Sequence, residues 1–385
     1  VKNKIDKLQA RVILVALISL LVFWSPFFLH LKKFWGIEFG QQASMKTIVQ
    51  NFDGLNFLAI VKSHFYQPDE LNQFGAIIER PPIYFTAHYP GYALIIGIFD
   101  LWLDGPQAVL ASIILGNILL SIGLYQFFKL IFKDKNKAFY LSLISLFLPA
   151  RMLVIRGVGS TETYFIFFSL MSLIAAIKQK HWLAGFWGGL GVITRSPGIL
   201  LFGGYVLFYL RKYKTNLSLF IKTIIPYLLI PLSLIGVWLF YGWRFGSFWA
   251  YFHSGDNLHL YWPPFQVFGS NQKWVSGMWL EDIIYIYLIF SLGLYLFWQK
   301  VKGTTLEIAF YWASIYFGVI LLVVHRDIAR YSLPIAPVVI AGYGFHLKKS
   351  KYEWWWLWLV IPIMLWSWQF GLHNIQPIAN WKPFI

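Results

Sequence analysis

The sequence predicts an all-α protein that crosses a membrane many times, with about 11 helical segments and a long first outer loop. Three observations predict it. Of the 385 residues, 58% are hydrophobic and only 12% are charged, about half the charge of an ordinary soluble domain. Apolar runs near the length of a bilayer core recur along the whole chain. Lysines gather in the short connections between those runs. This composition excludes a disordered chain, a soluble enzyme and a disulfide scaffold. With no cysteine, thiolate chemistry and Cys-based zinc sites are excluded too. The net charge of +16 reads as membrane orientation, and no motif points to nucleic acid.

The first run covers Arg11 to about His30 and lacks a small-residue cleavage site, so it reads as an anchor. A polar stretch, 32–90, follows. The runs 107–132, 137–153, 160–178, 219–243, 283–299, 306–324, 331–347 and 354–371 each read as a span. The run 182–211 is broken at Thr194-Arg195-Ser196-Pro197 and reads as a hairpin of two short helices with Arg195 near its tip. Tyr92–Leu103 is too short to span and is expected at the interface. The organisation expected is one membrane domain, 1–385. It has a first extracytoplasmic loop, 32–106, with juxtamembrane helices and Asp53, then the rest of the bundle, 107–371. A second outer loop, 244–282, lies within it.

With the N-terminus cytoplasmic, alternation puts every dense cationic cluster on one side: Lys133/Lys135/Lys137, Lys178/Lys180, Arg211/Lys212/Lys214, Lys300/Lys302 and Lys348/Lys349/Lys351. Most acids, with Arg156, Arg195, Arg326, Arg330 and His88, then fall on the outer side. That asymmetry places any chemistry at the extracytoplasmic surface.

Candidate site residues follow from this map. Asp53 lies in an apolar stretch just outside the first span, where desolvation is expected to raise its pKa and suit it to general-base work. The plain alternative is a helix N-cap. Glu79 and His88 flank a proline-rich loop of fixed shape and could bind a sugar or shape the base. Glu162 opens a span, as a cap residue or a functional acid. Arg195, with Arg326 and Arg330 four residues apart, could make a cationic pocket for a lipid phosphate; headgroup anchoring is the alternative. The segment His253–His259 has the composition of a metal site, but no metal ligand is assigned and no cofactor is expected, a divalent cation remaining the less favoured option. No nucleotide-binding motif occurs, so an activated donor would have to be one present at the outer leaflet, such as a lipid-linked sugar.

These residues, in this order, resemble the GT-C superfamily of membrane glycosyltransferases, most closely the PIG-V-type mannosyltransferases related to the second mannosyltransferase of GPI-anchor synthesis. The likeness rests on Phe52-Asp53-Gly54-Leu55-Asn56-Phe57-Leu58-Ala59-Ile60, Ala87-His88-Tyr89-Pro90-Gly91-Tyr92, Ser160-Thr161-Glu162, Arg195-Ser196-Pro197-Gly198 and Arg330-Tyr331-Ser332-Leu333-Pro334, and covers most of 10–345. Phe52 stands where that family has Trp, His88-Tyr89 where it has Phe-Phe, and Gln67–Pro82 is an insert without a counterpart. The resemblance implies an inverting transferase that moves a sugar, mannose by likeness, from a polyprenyl phosphate to a glycan, lipid or protein acceptor. Asp53 would match the essential first-loop acid, and Arg195, Arg326 and Arg330 would stabilise the leaving phosphate. It also implies a multi-pass protein, and the cysteine-free, positive-inside chain fits a prokaryotic plasma membrane. The competing readings are a flippase of lipid-linked sugars, which would need a polar path and usually an internal repeat, and a non-catalytic subunit of the same fold.

Overall fold

The structure is a computed structural model that describes residues 6–40, 43–256, 259–269, 279–347 and 355–385. Lys348, Lys349 and Lys351, and 257–258 and 270–278 of the second outer loop, lie outside the described residues.

The chain is an all-α membrane protein. Its helices are α1 (Lys7–Phe28), α2 (Met45–Val49), α3 (Gly54–Lys62), α4 (Pro68–Ile78), α5 (Pro90–Asp100), α6 (Gly105–Phe132), α7 (Lys135–Phe147), α8 (Arg151–Gly157), α9 (Glu162–Ile177), α10 (His181–Thr194), α11 (Leu200–Tyr213), α12 (Leu217–Ile224), α13 (Leu229–Phe245), α14 (Ala250–His253), α15 (Trp279–Val301), α16 (Glu307–Ile320), α17 (Ile328–Ser332), α18 (Ala336–Gly344) and α19 (Val360–His373). The described strands are β1 (Lys33–Phe34) and β2 (Ile37–Glu38), a two-residue antiparallel pair.

Each predicted run contains helix among its described residues, but not every one is long. Four described stretches are long and apolar enough to cross a bilayer: α1, α6, the joined α12–α13 and Leu280–Val301 of α15. The predicted run 137–153 is instead α7 and α8, bent by 80°. The hairpin is present as α10 and α11, joined by a 3-10 turn at Ser196–Ile199. Several remaining helices are short: α9 has 16 residues and α10, α11, α16 and α19 have 14 each. The ends of α9, α10 and α19 bring polar residues to one shared cavity, with Thr161, Arg195 and His373 in its lining. A backbone that leaves the helix at that depth needs protein around it.

The bend at α8 corrects one placement. Arg156 was expected on the outer side. It is wholly buried, donating to Leu146 O, Ala16 O, Asn117 Oδ1 and Ser19 Oγ. Ala16 and Ser19 lie midway along α1, so Arg156 is a structural cation inside the bundle. It satisfies a carbonyl near the end of α7 that the break leaves without a helical partner.

The first outer loop is built of short helices packed on the bundle. The helix α5 lies against α6 and α3. The insert 67–82 folds as α4 followed by the start of a 3-10 turn at Pro82–Ala87. The last turn of α19 and the residues after it run back over this loop. Gln376 N donates to Gln50 O at 2.9 Å and Asn51 Nδ2 to Gly371 O at 2.8 Å, while Phe384 is buried beside Phe74.

Candidate active site

The site begins with Asp53. It occupies the N-cap position of α3, yet its side chain makes no capping bond. Instead its Oδ2 accepts from Arg330 Nη2 at 2.6 Å, and its Oδ1 lies 3.6 Å from His88 Nε2. The backbone before it is unusual. Phe52 has φ of 49°, a left-handed conformation that non-glycine residues adopt at a cost. Its ring stacks on Phe370 and lies under the Arg330 guanidinium, 4.6 Å away. This platform turns Asp53 away from its helix and towards the arginine. The glycine that follows is required. A Cβ on Gly54 would sit 2.3 Å from Val49 O, and one on Gly159 would sit 2.8 Å from Gly54 Cα. The two glycines let the loop before α9 approach Asp53.

That loop delivers Glu162, the first residue of α9, which has no exposure to solvent. It is not a plain cap residue. Its Oε1 accepts from Arg330 Nε at 2.5 Å and from Arg195 Nη1. Arg195 leaves the end of α10 in an extended conformation, and Arg330 comes from α17. Four elements distant in sequence thus supply two carboxylates and two guanidiniums. Their charges sum to zero, the condition under which buried charges are tolerated. Arg330 joins the acids by giving one donor to each.

His88 is held from several sides. Its Nε2 is 3.1 Å from Asn56 Nδ2, its ring meets Phe57 and Tyr84, and its carbonyl accepts from the Tyr66 and Tyr241 hydroxyls. Asn56 follows Asp53 by three residues and so shares its helix face. That spacing could have identified it from the sequence.

The expected rise in the Asp53 pKa is not found. Burial pushes it up, but the Arg330 charge and the contact with His88 outweigh burial and hold the carboxyl well below the usual carboxylate range. Asp53 is therefore ionised at any physiological pH.

All of this opens into one cavity of 1040 Å³. Asp53, Glu79, His88, Arg195, Arg326 and Arg330 line it; Glu162 stands behind them. Glu79 ends α4 with φ of 60° and faces the cavity from the insert. Arg326 lies on the same wall as Arg330 but outside the four-charge network, and it is exposed. Sequence reasoning missed Arg151. Its Nη2 forms an ion pair with Asp327 Oδ1 at 2.6 Å, and its guanidinium rests 4.1 Å from the centre of the Phe370 ring. Its position within an apolar run hid it. Among the described residues no group of three or more His, Asp or Glu converges as a metal site would require.

The helical bundle with this cavity and an acid-bearing first loop has the GT-C fold. The chain superposes over 91% of its length on ArnT from Cupriavidus metallidurans bound to undecaprenyl phosphate, with a TM-score of 0.54 and 13% identity. For the apo state of ArnT the values are 90%, 0.53 and 14%. It superposes over 97% of its length on the archaeal oligosaccharyltransferase AglB from Archaeoglobus fulgidus, solved with an inhibitory peptide and a dolichol-phosphate, with a TM-score of 0.55 and 11% identity. The chain spans 63%, 62% and 56% of those three chains in turn. No family model and no curated protein matches it.

Proposed function

We propose that this chain is an inverting glycosyltransferase that takes a sugar from a polyprenyl-phosphate donor and attaches it to an acceptor hydroxyl at the outer face of the membrane. One observation carries this reading. An ionised, arginine-fixed carboxylate stands on the wall of a cavity with further arginines, in a fold shared with proteins solved bound to undecaprenyl phosphate and dolichol-phosphate. Mannose is the sugar that the family resemblance favours. The cytoplasmic N-terminus and prokaryotic plasma membrane rest on the lysine pattern and composition.

In the reaction the acceptor oxygen attacks the anomeric carbon. The bond from that carbon to the phosphate oxygen breaks, and its electron pair leaves with the polyprenyl phosphate. Asp53 accepts a hydrogen bond from the attacking hydroxyl and orients it. Because the carboxylate holds protons weakly, it takes the proton late, once the new bond has made the hydroxyl acidic. Its charge also favours the positive charge that develops at the anomeric carbon. Arg326, with the cavity-facing sides of Arg195 and Arg330, meets the phosphate as its negative charge grows. Glu162 holds the two arginines from behind the cavity wall, and His88, in the wall, holds Asp53. Glu79 remains free to meet sugar or acceptor.

A flippase would need polar groups along the bundle. The deep cation Arg156 instead spends its donors on protein acceptors, which favours an enzyme working at one face.

The test is sugar transfer from polyprenyl-phosphate mannose by purified protein, wild type against Asp53→Asn. Turnover lost in a folded variant supports the reading. Turnover that survives removes Asp53 from the mechanism, and wild type inert with mannose, glucose and arabinose donors points to the transport or subunit readings.

A further inference from the structure

The charges lining the cavity divide into committed and uncommitted groups. Arg330 and Arg195 are engaged by Asp53 and Glu162, and Arg151 by Asp327. Among the described residues this leaves two cations, Arg80 and Arg326, and two acids, Glu79 and Asp256, with no side-chain ion pair. All four line the cavity. Arg326 immediately precedes Asp327, the partner of Arg151, so the Arg326 wall carries one positive charge beyond its pairs. Arg80, Tyr84 and Asp256 line the same cavity. The Arg80 guanidinium lies 5.2 Å from the Tyr84 ring centre. Asp256 is brought there by the second outer loop, which docks on the first. Thr86 Oγ1 donates to Ala250 O at 3.0 Å, the Tyr89 and Tyr251 rings meet edge to face, and the Tyr251 and Ser196 hydroxyls lie 3.1 Å apart. Three residues after the helix so fixed, the Asp256 backbone N–H bonds to Ser254 Oγ and its exposed carboxylate is left for the cavity. Burial first, then the charges of Asp256 and Asp53, push the Tyr84 hydroxyl above its ordinary pKa, so that hydroxyl is a neutral donor.

A sugar ring presents several hydroxyls, each both donor and acceptor, and is best held by a mixed set of carboxylate, phenol and guanidinium. A lipid phosphodiester presents one negative charge and only acceptors, and is best held by an unpaired arginine. The cavity thus offers uncommitted groups suited to each half of one donor molecule. We propose that Asp256, with Tyr84 and Arg80, forms the subsite for the hydroxyls of the transferred sugar, alongside a phosphate subsite at Arg326. This rests on the lipid-phosphate donor reading and assigns its sugar recognition to a residue of the second outer loop.

Equilibrium binding to the full-length protein in detergent tests it, with two probes: bare undecaprenyl phosphate, and the same lipid carrying mannose, glucose or galactose. Wild type is expected to bind at least one sugar-bearing lipid about tenfold or more tighter than the bare lipid, in line with one or two hydrogen bonds to a charged group. Asp256→Asn should abolish that difference and leave the bare lipid within about twofold, while Arg326→Gln should weaken both lipids by about tenfold or more. Asp256 lies on an exposed loop, so its variant should fold; Tyr84→Phe, which removes only a hydroxyl, is the second variant and should lose part of the difference. Asp256→Asn and Tyr84→Phe that both keep the full sugar preference, or that weaken both lipids equally, would overturn the assignment while sparing the donor reading. Wild type that binds neither lipid would overturn the donor reading, and the assignment with it.

Discussion

Glu162→Gln is the sharpest probe of the charge network. The side chain has no solvent exposure, and its two arginine partners are each 14% exposed. At an effective dielectric near 20, each arginine–carboxylate attraction is about 4 kcal/mol for charge centres about 4 Å apart. Neutralising Glu162 removes two such attractions and leaves Arg195 and Arg330 repelling each other, with Asp53 as their nearest remaining counter-charge. The amide oxygen still accepts hydrogen bonds and recovers part of the loss. The net expectation is about 3–5 kcal/mol, the range for breaking a buried pair by removing one partner. Reversible denaturant titration in mixed micelles reads it directly. The control is the double variant Glu162→Gln/Arg195→Gln, which removes one charge of each sign and leaves the Asp53–Arg330 pair. It should recover at least half of the single variant's loss. A cost below about 1 kcal/mol for the single variant, with a double variant no better, would refute the argument that charge balance holds these four residues.

Three further outcomes are expected. Asp53→Asn should lower turnover by about 10² to 10⁴ with the fold intact, measured by sugar transfer and by elution as a monodisperse species. Because the Asp53 pKa is depressed in the folded protein, its contribution to stability is complete above the unfolded value near 3.9 and is lost as pH falls through the lower folded value. Acid unfolding of Asp53→Asn should therefore show a shallower loss below about pH 4 than wild type. Gly91→Ala would place a Cβ 2.9 Å from the backbone of Ile193 and Thr194. It should cost about 1–3 kcal/mol and slow turnover by pushing Arg195 from Glu162, which the same titration and transfer assays check.

Much of the site could be read as a set of residues but not as an arrangement. The order of motifs pointed to Asp53, Glu162, Arg195 and Arg330, and the structure brings all four into one network. It also changes their roles: Glu162 is a sealed counter-charge, and Asp53 is strongly ionised where a raised pKa was expected. Arg151 was hidden inside an apolar run that proved to bend by 80°, and Arg156, placed outside by alternation, lies within the bundle. The sequence places Asp256 on the outer side in a loop of metal-like composition, and nothing local says that this loop docks against Pro82–Ala87.

By itself, the sequence determined the solvent. Low charge, recurrent apolar runs and lysine-rich connections allow only a helical membrane protein, since every backbone polar group in lipid must be bonded within its own segment. It also determined that the polar, acid-bearing residues collect at one end. The tertiary structure decided what those residues do. An ionisable group's state depends on partners within a few ångströms, and here the partners of Asp53 come from positions 88 and 330, and those of Glu162 from 195 and 330. Periodicity and composition act over tens of residues along the chain, whereas these charges meet only because the glycines before α9 and after Asp53 allow two backbones to touch.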